Sequence, residues 1–234
     1  MTPIELVVFD MAGTTVHDDD AVNVCLRQAL LLSGVGVTRE AVNAVMGEPK
    51  PRAIAKLLTA ERLRIVTVRD PEVIEVYSAF EERMLDHYMS DPSVRAAEGA
   101  DDTFAELKRR GVHIALDTGF HRVIADAILQ RLGWSGSGLV DVTVASNEVE
   151  RGRPYPDLIY RAMALTGVRS PRAVAKVGDT PADLQEGTAA GCAHVIGITT
   201  GSHSRNALAL HAHTHLVEHL SEVPPICAGI AASR

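Results

Sequence analysis

The stretch Ile4-Glu5-Leu6-Val7-Val8-Phe9-Asp10-Met11-Ala12-Gly13-Thr14-Thr15 decides the fold of this 234-residue chain. Its first six residues are rich in β-branched side chains and nearly all apolar, which predicts a buried strand of a parallel sheet over residues 4–9. The strand runs straight into Asp10 and a turn that contains Gly13. A carboxylate that leaves a buried strand beside such a turn is well placed to act as a nucleophile.

Four further short apolar runs follow, and each ends in polar or glycine-containing sequence: residues 112–116, 140–145, 173–177 and 194–198. Helical patterns lie between them, at residues 103–110, 122–132, 156–166 and 181–190. Strands that alternate with amphipathic helices predict an α/β, doubly wound, Rossmann-like domain with a parallel sheet. Ligands of such domains bind at the carboxyl ends of the strands.

The segment between Asp20 and Asp91 breaks this alternation. It shows only helical periodicity, at residues 22–32, 39–46, 51–63 and 71–89. This pattern predicts an all-helical cap domain of residues 18–94, inserted into a core domain of residues 1–17 and 95–234. We expect the cap to lie above the carboxyl edge of the sheet, where ligands bind.

The composition limits the classes of partner and the cellular compartment that we expect. A net charge of −7 disfavours nucleic acid as a partner, because no basic face is available to displace phosphate counterions. Three cysteines, far apart and without a CxxC spacing, argue against a disulfide framework or a thiolate zinc site and favour a reducing cytoplasm. The first apolar run lacks a basic leader and ends at Asp10, which predicts neither a signal peptide nor a membrane span.

Four polar signals follow predicted strands in the order that a single site needs. They are Asp10 with its glycine turn, Asp117-Thr118-Gly119, Arg151-Gly152-Arg153-Pro154, and Gly178-Asp179-Thr180-Pro181-Ala182-Asp183. Thr118 and Gly119 offer a hydroxyl and backbone N–H groups just before a helix that begins near His121, where anions bind. The carboxylates form an oxygen-rich site of the kind that Mg²⁺ prefers.

At these residues the chain resembles the haloacid dehalogenase superfamily, whose four motifs it matches in order over essentially the whole sequence. The resemblance implies that Asp10 is a nucleophile that forms an aspartyl-phosphate and that Thr118 binds the phosphoryl group. Arg153 stands where most members have Lys. The same resemblance implies a Mg²⁺ site formed by Asp10, the carbonyl of Ala12, Asp179 and, as a supporting carboxylate, Asp183.

Ala12 departs from the pattern of most phosphatases in that superfamily. They carry a second Asp at this position, which protonates the leaving alkoxide and later activates water. The loss of a general acid–base group costs a factor of roughly 10² to 10⁴ in rate. The sequence therefore indicates a substrate whose leaving group needs no such acid.

Residues 9–15, Arg153 and Met46-Gly47-Glu48-Pro49-Lys50 resemble the phosphonoacetaldehyde hydrolase branch. In that branch a lysine of the cap forms a Schiff base with the substrate aldehyde, and the C–P bond then breaks to give an enamine. The resemblance implies that Lys50 is this lysine and that Gly47 lets the cap approach the substrate closely. We expect Arg153 and Mg²⁺ to lower the pKa of Lys50, because like charges disfavour protonation.

Two departures from the phosphonoacetaldehyde hydrolase pattern resemble a phosphonatase-like sister group more than the founding enzymes. Ala53 stands where a histidine typically assists proton transfer, and Met11 stands where a tryptophan is common. His17 and His121 lie near the site in sequence and are candidates for the missing proton transfers. The expected substrate is phosphonoacetaldehyde or a close 2-oxoalkylphosphonate.

Simpler structural roles compete with several assignments. Asp179 could serve as a helix N-cap and Lys50 as a solvated surface lysine. The order of the motifs disfavours the first, and Ala12 disfavours the second. We assign the acidic run at residues 18–20 to capping of the next helix, outside the site, and the alternating histidines to an exposed segment without metal: His211, His213 and His215.

Two other functions stay open at this point. One is a phosphomonoesterase of the phosphoglycolate phosphatase type, which Ala12 disfavours. The other is a regulatory protein that binds a phosphorylated metabolite with little turnover, which the retention of Asp10 disfavours. Related enzymes pair through their caps, so the resemblance also implies a homodimer.

Overall fold

A computed structural model of the protein describes residues 2–229. Its centre is a six-stranded parallel sheet, with β1 at Leu6–Asp10, β2 at His113–Thr118, β3 at Val142–Ala145, β4 at Val174–Gly178, β5 at His194–Ile198 and β6 at His215–Val217. The strand order is β3-β2-β1-β4-β5-β6. This is the order of a doubly wound sheet, so the predicted fold class is confirmed. The short edge strand β6 was not predicted.

The segment between β1 and the next core helix is helical throughout. It forms α1 at Ala21–Leu32, α2 at Arg39–Asn43, α3 at Lys50–Arg62 and α4 at Pro71–Ser90. The absence of strands from this segment agrees with the sequence pattern. Its buried side chains belong to the same apolar cluster as one face of the sheet, and its independence as a cap domain stays a prediction.

Six further helices cover the two faces of the sheet, at α5 Ala100–Arg109, α6 Arg122–Arg131, α7 Asp157–Thr166, α8 Pro181–Ala190, α9 Arg205–Leu208 and α10 Val223–Cys227. The apolar residues of α5, α6 and α10 pack with Val7 and Phe9 of β1. Those of α7, α8 and α9 pack with Leu6 and Val8, which point the opposite way. Successive residues of a strand face opposite sides, so an uninterrupted apolar β1 is what a three-layer fold requires.

Local sequence explains where the helices near the sheet edge begin and end. Thr180 and Asp183 form a reciprocal capping box at the start of α8, and Pro181 fits its first turn. The helix α2 ends at Asn43, earlier than the predicted end at residue 46. The chain then turns through Gly47, whose φ of 84° lies in the left-handed region that favours glycine.

The reversal of strand order puts the ends of three strands side by side. Strand β1 pairs with β2 on one side and with β4 on the other, and Asp10 lies opposite Asp117 in the β1–β2 register. The crevice at such a switch point is where open α/β sheets bind ligands. Among residues 2–229, no helix combines the length and apolarity needed to cross a membrane.

Candidate active site

A cavity at this switch point brings together most of the predicted site residues. It encloses about 370 Å³ of empty space, part of it open to solvent. Seven lining residues were predicted from the sequence: Asp10, Ala12, Gly47, Lys50, Thr118, Gly119 and Arg153. Six others were not: Asp18, Val22, Met46, Phe120, Thr180 and Ser202. The sheet supplies one side of the cavity, which we call the sheet side, and α1, α3 and their loops supply the helical side.

Asp10 and Arg153 form the centre of the sheet side. Both are buried, and Nη1 of Arg153 donates to Oδ1 of Asp10 at 2.5 Å. The same nitrogen lies 3.1 Å from Oδ1 of Asp183. Arg153 thus lies where the sequence predicts a cation, but acidic side chains already bind its guanidinium.

A second buried cation, Lys176, was missed by the sequence analysis. It lies in β4, inside the predicted apolar run at residues 173–177, and its Nζ is 2.5 Å from Asp117 and 3.2 Å from Glu186. Glu186 also accepts from Nε of Arg153 at 3.0 Å, and Asp117 accepts from Nη2. A lysine within a buried strand was the available signal, because lysine is almost never fully buried without a partner.

Three carboxylates could hold a metal ion. Oxygens of Asp10, Asp179 and Asp183 lie within 4.8 Å of one another. Asp179 is held by Oγ1 of Thr14 at 2.9 Å and by the backbone N–H of Ser202 at 2.7 Å, so it does not cap a helix. Oδ1 of Asp183 is buried and lies 3.1 Å from both Nη1 of Arg153 and Nζ of Lys176, so these two cations already partly neutralise it. A cluster of hard carboxylate oxygens fits a hard divalent cation.

The charge balance of the cluster also fits a divalent cation. Its buried carboxyl groups belong to Asp10, Asp117, Asp179, Asp183 and Glu186, and its buried cations are Arg153, Lys176 and Lys50. With every group ionised, five negative charges face three positive ones, which leaves two negative charges without a partner. A bound divalent cation would remove that excess.

The pKa values of the carboxyl groups express this excess of negative charge. Burial raises the pKa of Asp10 to about 8, although Arg153 opposes the rise. Burial, together with the charge of Asp183, raises the pKa of Asp179 to about 6. Burial acts in the same direction on Asp183, but Arg153 and Lys176 outweigh it and lower the pKa of that carboxyl below its ordinary value.

Lys50 lies on the helical side of the cavity, at the start of α3. It is only 3% exposed, and its Nζ lies 5.2 Å from the centre of the Phe120 ring. Within residues 2–229, no carboxylate lies at ion-pair distance from this nitrogen. Burial lowers the pKa of Lys50 to about 8, because the charge of Asp10 recovers only part of the lost hydration. A surface role for Lys50 is therefore excluded.

Close backbone contact brings the turn before α3 against the sheet side. A Cβ atom on Gly47 would lie 2.3 Å from Oγ1 of Thr180, and one on Gly119 would lie 2.9 Å from the carbonyl oxygen of Glu48. Only glycine fits these two positions without a shift of the neighbours. From the sequence we expected Gly47 to let the cap approach the substrate closely. In the structure its close neighbour is Thr180, and it also lines the cavity.

Asp18 was expected to cap the next helix and was not counted among the site residues. Its Oδ1 accepts from the backbone N–H of Ala21 at 2.7 Å, at the start of α1. The same side chain also lines the cavity. Sequence alone could not separate the two roles, because the second depends on how α1 and α3 each pack against α4.

The candidate histidines lie away from this cavity. Nε2 of His17 is 2.7 Å from Asp19, and the ring of His121 packs on Tyr77. Neither lines the cavity that holds Asp10 and Lys50. Within residues 2–229, the alternating histidines near β6 join no group of potential metal ligands.

Comparison with known proteins finds a family model and relatives that match most of the chain. A family model described as haloacid dehalogenase-like hydrolase matches residues 4–191. A phosphonoacetaldehyde hydrolase of Bacillus cereus (strain AH187) is 31% identical over 210 residues, which cover 85% of this chain and 77% of that protein. A phosphonoacetaldehyde hydrolase of Latilactobacillus sakei subsp. sakei (strain 23K) is 28% identical over 199 residues, covering 82% and 74%.

Solved structures share the fold at lower sequence identity. A phosphonoacetaldehyde hydrolase-like protein from Oleispira antarctica superposes with a TM-score of 0.84 at 18% identity, covering 97% of this chain and 92% of the other. A hydrolase from Pseudomonas syringae superposes with a TM-score of 0.85 at 17% identity, covering 97% and 100%. At these identities the likeness concerns the fold alone.

Proposed function

Because the chain belongs to the haloacid dehalogenase-like hydrolases, we propose that it cleaves the C–P bond of phosphonoacetaldehyde or a close 2-oxoalkylphosphonate. Asp10 takes up the phosphoryl group, and Lys50 forms an imine with the aldehyde. One observation carries the proposal: a buried lysine that makes no ion pair with any residue from 2 to 229 lies in the same cavity as the candidate nucleophile. The names of the curated relatives support the same substrate.

Asp10 is arranged as a nucleophile toward phosphorus. Arg153 binds Oδ1 of Asp10, and no hydrogen bond within residues 2–229 reaches Oδ2. The free oxygen can therefore attack while the bound one keeps the carboxylate in a fixed orientation. Thr118 and Gly119 line the same cavity at the end of β2, where the phosphoryl oxygens would bind.

The oxygens of Asp10, Asp179, Asp183 and the Ala12 carbonyl would hold Mg²⁺. When bound, this ion supplies positive charge that keeps the carboxylates ionised and neutralises the phosphoryl oxygens. Within the chain itself, Arg153 contributes a permanent charge, because the surrounding carboxylates hold the pKa of its guanidinium well above the ordinary range despite burial. The sheet side is thus built for a dianionic group.

Lys50 is arranged as an amine nucleophile. A pKa of about 8 leaves a sizeable neutral fraction near neutral pH, whereas an exposed lysine is almost wholly protonated there. The Phe120 ring beside Nζ excludes water without donating or accepting a strong hydrogen bond. An iminium formed on Lys50 withdraws electrons from the neighbouring carbon, so that the C–P electron pair can move into an enamine.

Ala12 fits this chemistry and argues against ordinary ester hydrolysis. It lines the cavity but offers no acid for a departing alkoxide. An enamine needs no proton on oxygen as it leaves, so the C–P cleavage step does not use the missing carboxyl group. A phosphomonoesterase would lose roughly 10² to 10⁴ in rate from the same absence.

The test is phosphate release with Mg²⁺ from phosphonoacetaldehyde and, separately, from phosphoglycolate. We expect the wild type to prefer phosphonoacetaldehyde and Lys50→Arg to lose that activity by about 10³-fold or more, because an arginine cannot supply a neutral amine. Lys56→Arg is the matched control. Lys56 lies on the same helix but pairs with Glu48 and is exposed, so this variant keeps wild-type rates.

Two results would contradict the proposal. The first is efficient hydrolysis of phosphoglycolate that is equal in wild type and Lys50→Arg, which would make the protein a phosphomonoesterase. The second is saturable binding of either compound without phosphate release, which would favour the regulatory role.

A further inference from the structure

We propose that Asp18 is the acid–base residue that moves protons during imine formation and enamine protonation, an inference that rests on the proposed imine chemistry at Lys50. Nothing in the sequence motifs assigns this residue to the reaction. Its position in the cavity, and the lack of other groups there that could do this work, carry the inference.

Elimination within the cavity leaves a single candidate. Its titratable lining residues are Asp10, Asp18, Lys50 and Arg153. Asp10 bonds to phosphorus, Lys50 bonds to carbon, and the guanidinium of Arg153 does not release its proton. Asp18 is the one lining side chain that can give and take a proton without also forming a bond to the substrate.

This chain has no acid or base at the two positions where the resembled enzymes carry proton-transfer residues. Ala12 and Ala53 carry only methyl groups, and the structure puts His17 and His121 outside the cavity. Imine formation nevertheless requires that a hydroxyl leave as water, and a hydroxyl leaves slowly without an acid.

The contacts of Asp18 hold it in one orientation. Its Oδ1 accepts from the backbone N–H groups of Ala21 at 2.7 Å and of Val22 at 3.4 Å, in the first turn of the twelve-residue helix α1. No hydrogen bond within residues 2–229 reaches Oδ2. One oxygen therefore anchors the carboxyl group, and the other is available to exchange a proton with a bound substrate.

The surroundings of Asp18 favour its protonated form more than water does. Burial raises its pKa, while the N–H groups of Ala21 and Val22 oppose the rise. The charged or titratable groups around it are Asp20, His87, Cys25, Tyr88 and Lys50. Asp18 and Lys50 line the same cavity, so a substrate bound at Lys50 lies within that shared space.

A second cavity gives Asp18 access to water. This cavity encloses about 900 Å³ and is lined by Asp18, His17 and Asp19 among others. Asp18 thus lines both the cavity that holds Lys50 and a larger one that is open to solvent. A carboxyl group in this position can replace its proton from water while the substrate occupies the site.

Asp18 moves protons in both directions during the reaction. The neutral amine of Lys50 adds to the carbonyl carbon, and Asp18 carries one proton from nitrogen to oxygen. The carboxyl group of Asp18 then protonates the hydroxyl, which leaves as water and gives an iminium beside the Asp18 carboxylate. After C–P cleavage the carboxylate takes a proton from solvent and delivers it to the enamine carbon. Water then adds to the new iminium and gives one proton to Asp18. Asp18 passes this proton to the Lys50 nitrogen and takes the proton of the carbinol hydroxyl, the C–N bond breaks, and acetaldehyde leaves with Lys50 as a neutral amine.

Proton exchange with the product isolates this step from phosphorus chemistry. Acetaldehyde alone, in D₂O with the full chain and Mg²⁺, should form an imine on Lys50 and lose methyl protons through the enamine. Exchange of the methyl signal is followed by ¹H NMR. We expect catalysed exchange with wild type and a loss of about 10²-fold with Asp18→Asn.

Two variants remove the acid at position 18. Asp18→Asn keeps an amide oxygen that can accept from the N–H of Ala21 in place of the carboxylate, and Asp18→Ser is a second variant without a carboxyl group. Asp20→Asn is the matched control, because Asp20 pairs with Arg39 outside the cavity and its left-handed φ suits asparagine. Its exchange rate should equal that of the wild type.

The outcomes separate this inference from the proposed function. Exchange by Asp18→Asn and Asp18→Ser at the wild-type rate would overturn the role of Asp18 and leave Lys50 chemistry intact. No exchange by wild type, with C–P hydrolysis also absent, would contradict imine formation at Lys50. Loss in both Asp18 variants, with Asp20→Asn unchanged, supports the inference.

Discussion

The cavity holds two buried cations that behave in opposite ways. Arg153 on the sheet side is 1% exposed, and Lys50 on the helical side is 3% exposed. Acidic side chains surround Arg153 and hold the pKa of its guanidinium well above the ordinary range, whereas burial lowers the pKa of Lys50 to about 8. Equal burial thus gives a permanent charge in one case and a titratable amine in the other.

The difference has two sources. A guanidinium is intrinsically more basic than an amine, and the two cations have different partners. Burial disfavours any charge, and nearby opposite charge restores it. Asp117, Glu186 and Asp183 provide that charge for Arg153, but Lys50 faces an aromatic ring. In the proposed function the sheet side would bind the phosphoryl group and the amine on the helical side would attack the aldehyde.

The largest expected effect comes from the nucleophile of the sheet side. Asp10→Asn should lower phosphate release by on the order of 10⁴ to 10⁶-fold, because no carboxylate remains to attack phosphorus. Imine formation at Lys50 should persist, since it uses the helical side. Phosphate release and aldehyde trapping are measured in parallel, with the surface variant Asp126→Asn as control. Loss of both activities together would show that the two sides do not act separately.

Stability should distinguish a paired buried lysine from an unpaired one. Lys176→Met leaves Asp117, Asp183 and Glu186 without one of their counter-charges and should lower the free energy of unfolding by about 3 to 5 kcal/mol. Lys50→Met removes a buried charge that has no ion pair and should not destabilise the fold. Urea unfolding at pH 7 with fixed Mg²⁺ gives both values. Equal losses would contradict the comparison.

The pH dependence of stability should reveal Lys50 directly. Its folded-state pKa of about 8 lies below the 10.5 of an exposed lysine, so the unfolded state binds more protons between these values. The free energy of unfolding of wild type, relative to Lys50→Met, should therefore rise by up to about 3 kcal/mol from pH 8 to 10.5. Below pH 8 the difference should be constant. Parallel unfolding profiles for the two proteins would mean that the pKa of Lys50 is ordinary.

The smallest predicted effect concerns the residue that separates the two reaction types. Ala12→Asp restores an acid beside Asp10 and should raise hydrolysis of simple phosphate esters by about 10²-fold, the low end of general acid catalysis. Ala12→Ser, which is polar but not acidic at neutral pH, is the control. Steady-state phosphate release from phosphoglycolate measures both. No gain with Ala12→Asp would remove Ala12 as an argument for C–P cleavage.

The sequence predicted the site residues at the ends of the central strands better than the buried ion pairs behind those residues. Asp10, Thr118 and Asp179 lie at or just after strand ends as expected, because a buried apolar strand followed by a polar turn is a local signal. Lys176 escaped notice because one lysine in a five-residue apolar run does not change its period. Its partners, Asp117 and Glu186, come from other elements and could be identified only in the folded chain.

On the helical side, too, local sequence predicted a local contact but not the tertiary one. Capping of α1 by Asp18 was predictable from an acidic run before an amphipathic helix. Its place in the Lys50 cavity depends on how α1 and α3 each pack against α4, which no local pattern specifies. The edge strand β6 was missed because three residues carry too little periodicity to be recognised.

Reductive trapping tests the proposal that Lys50 attacks an aldehyde through the unprotonated fraction of its amine. Wild type is incubated with phosphonoacetaldehyde and Mg²⁺, treated with borohydride, digested and analysed by mass spectrometry, with Lys56 of the same helix as an internal reference. The account predicts a reduced adduct on the Lys50 peptide, none on Lys56, and none in Lys50→Arg. Turnover of phosphonoacetaldehyde without any adduct on Lys50 would contradict it.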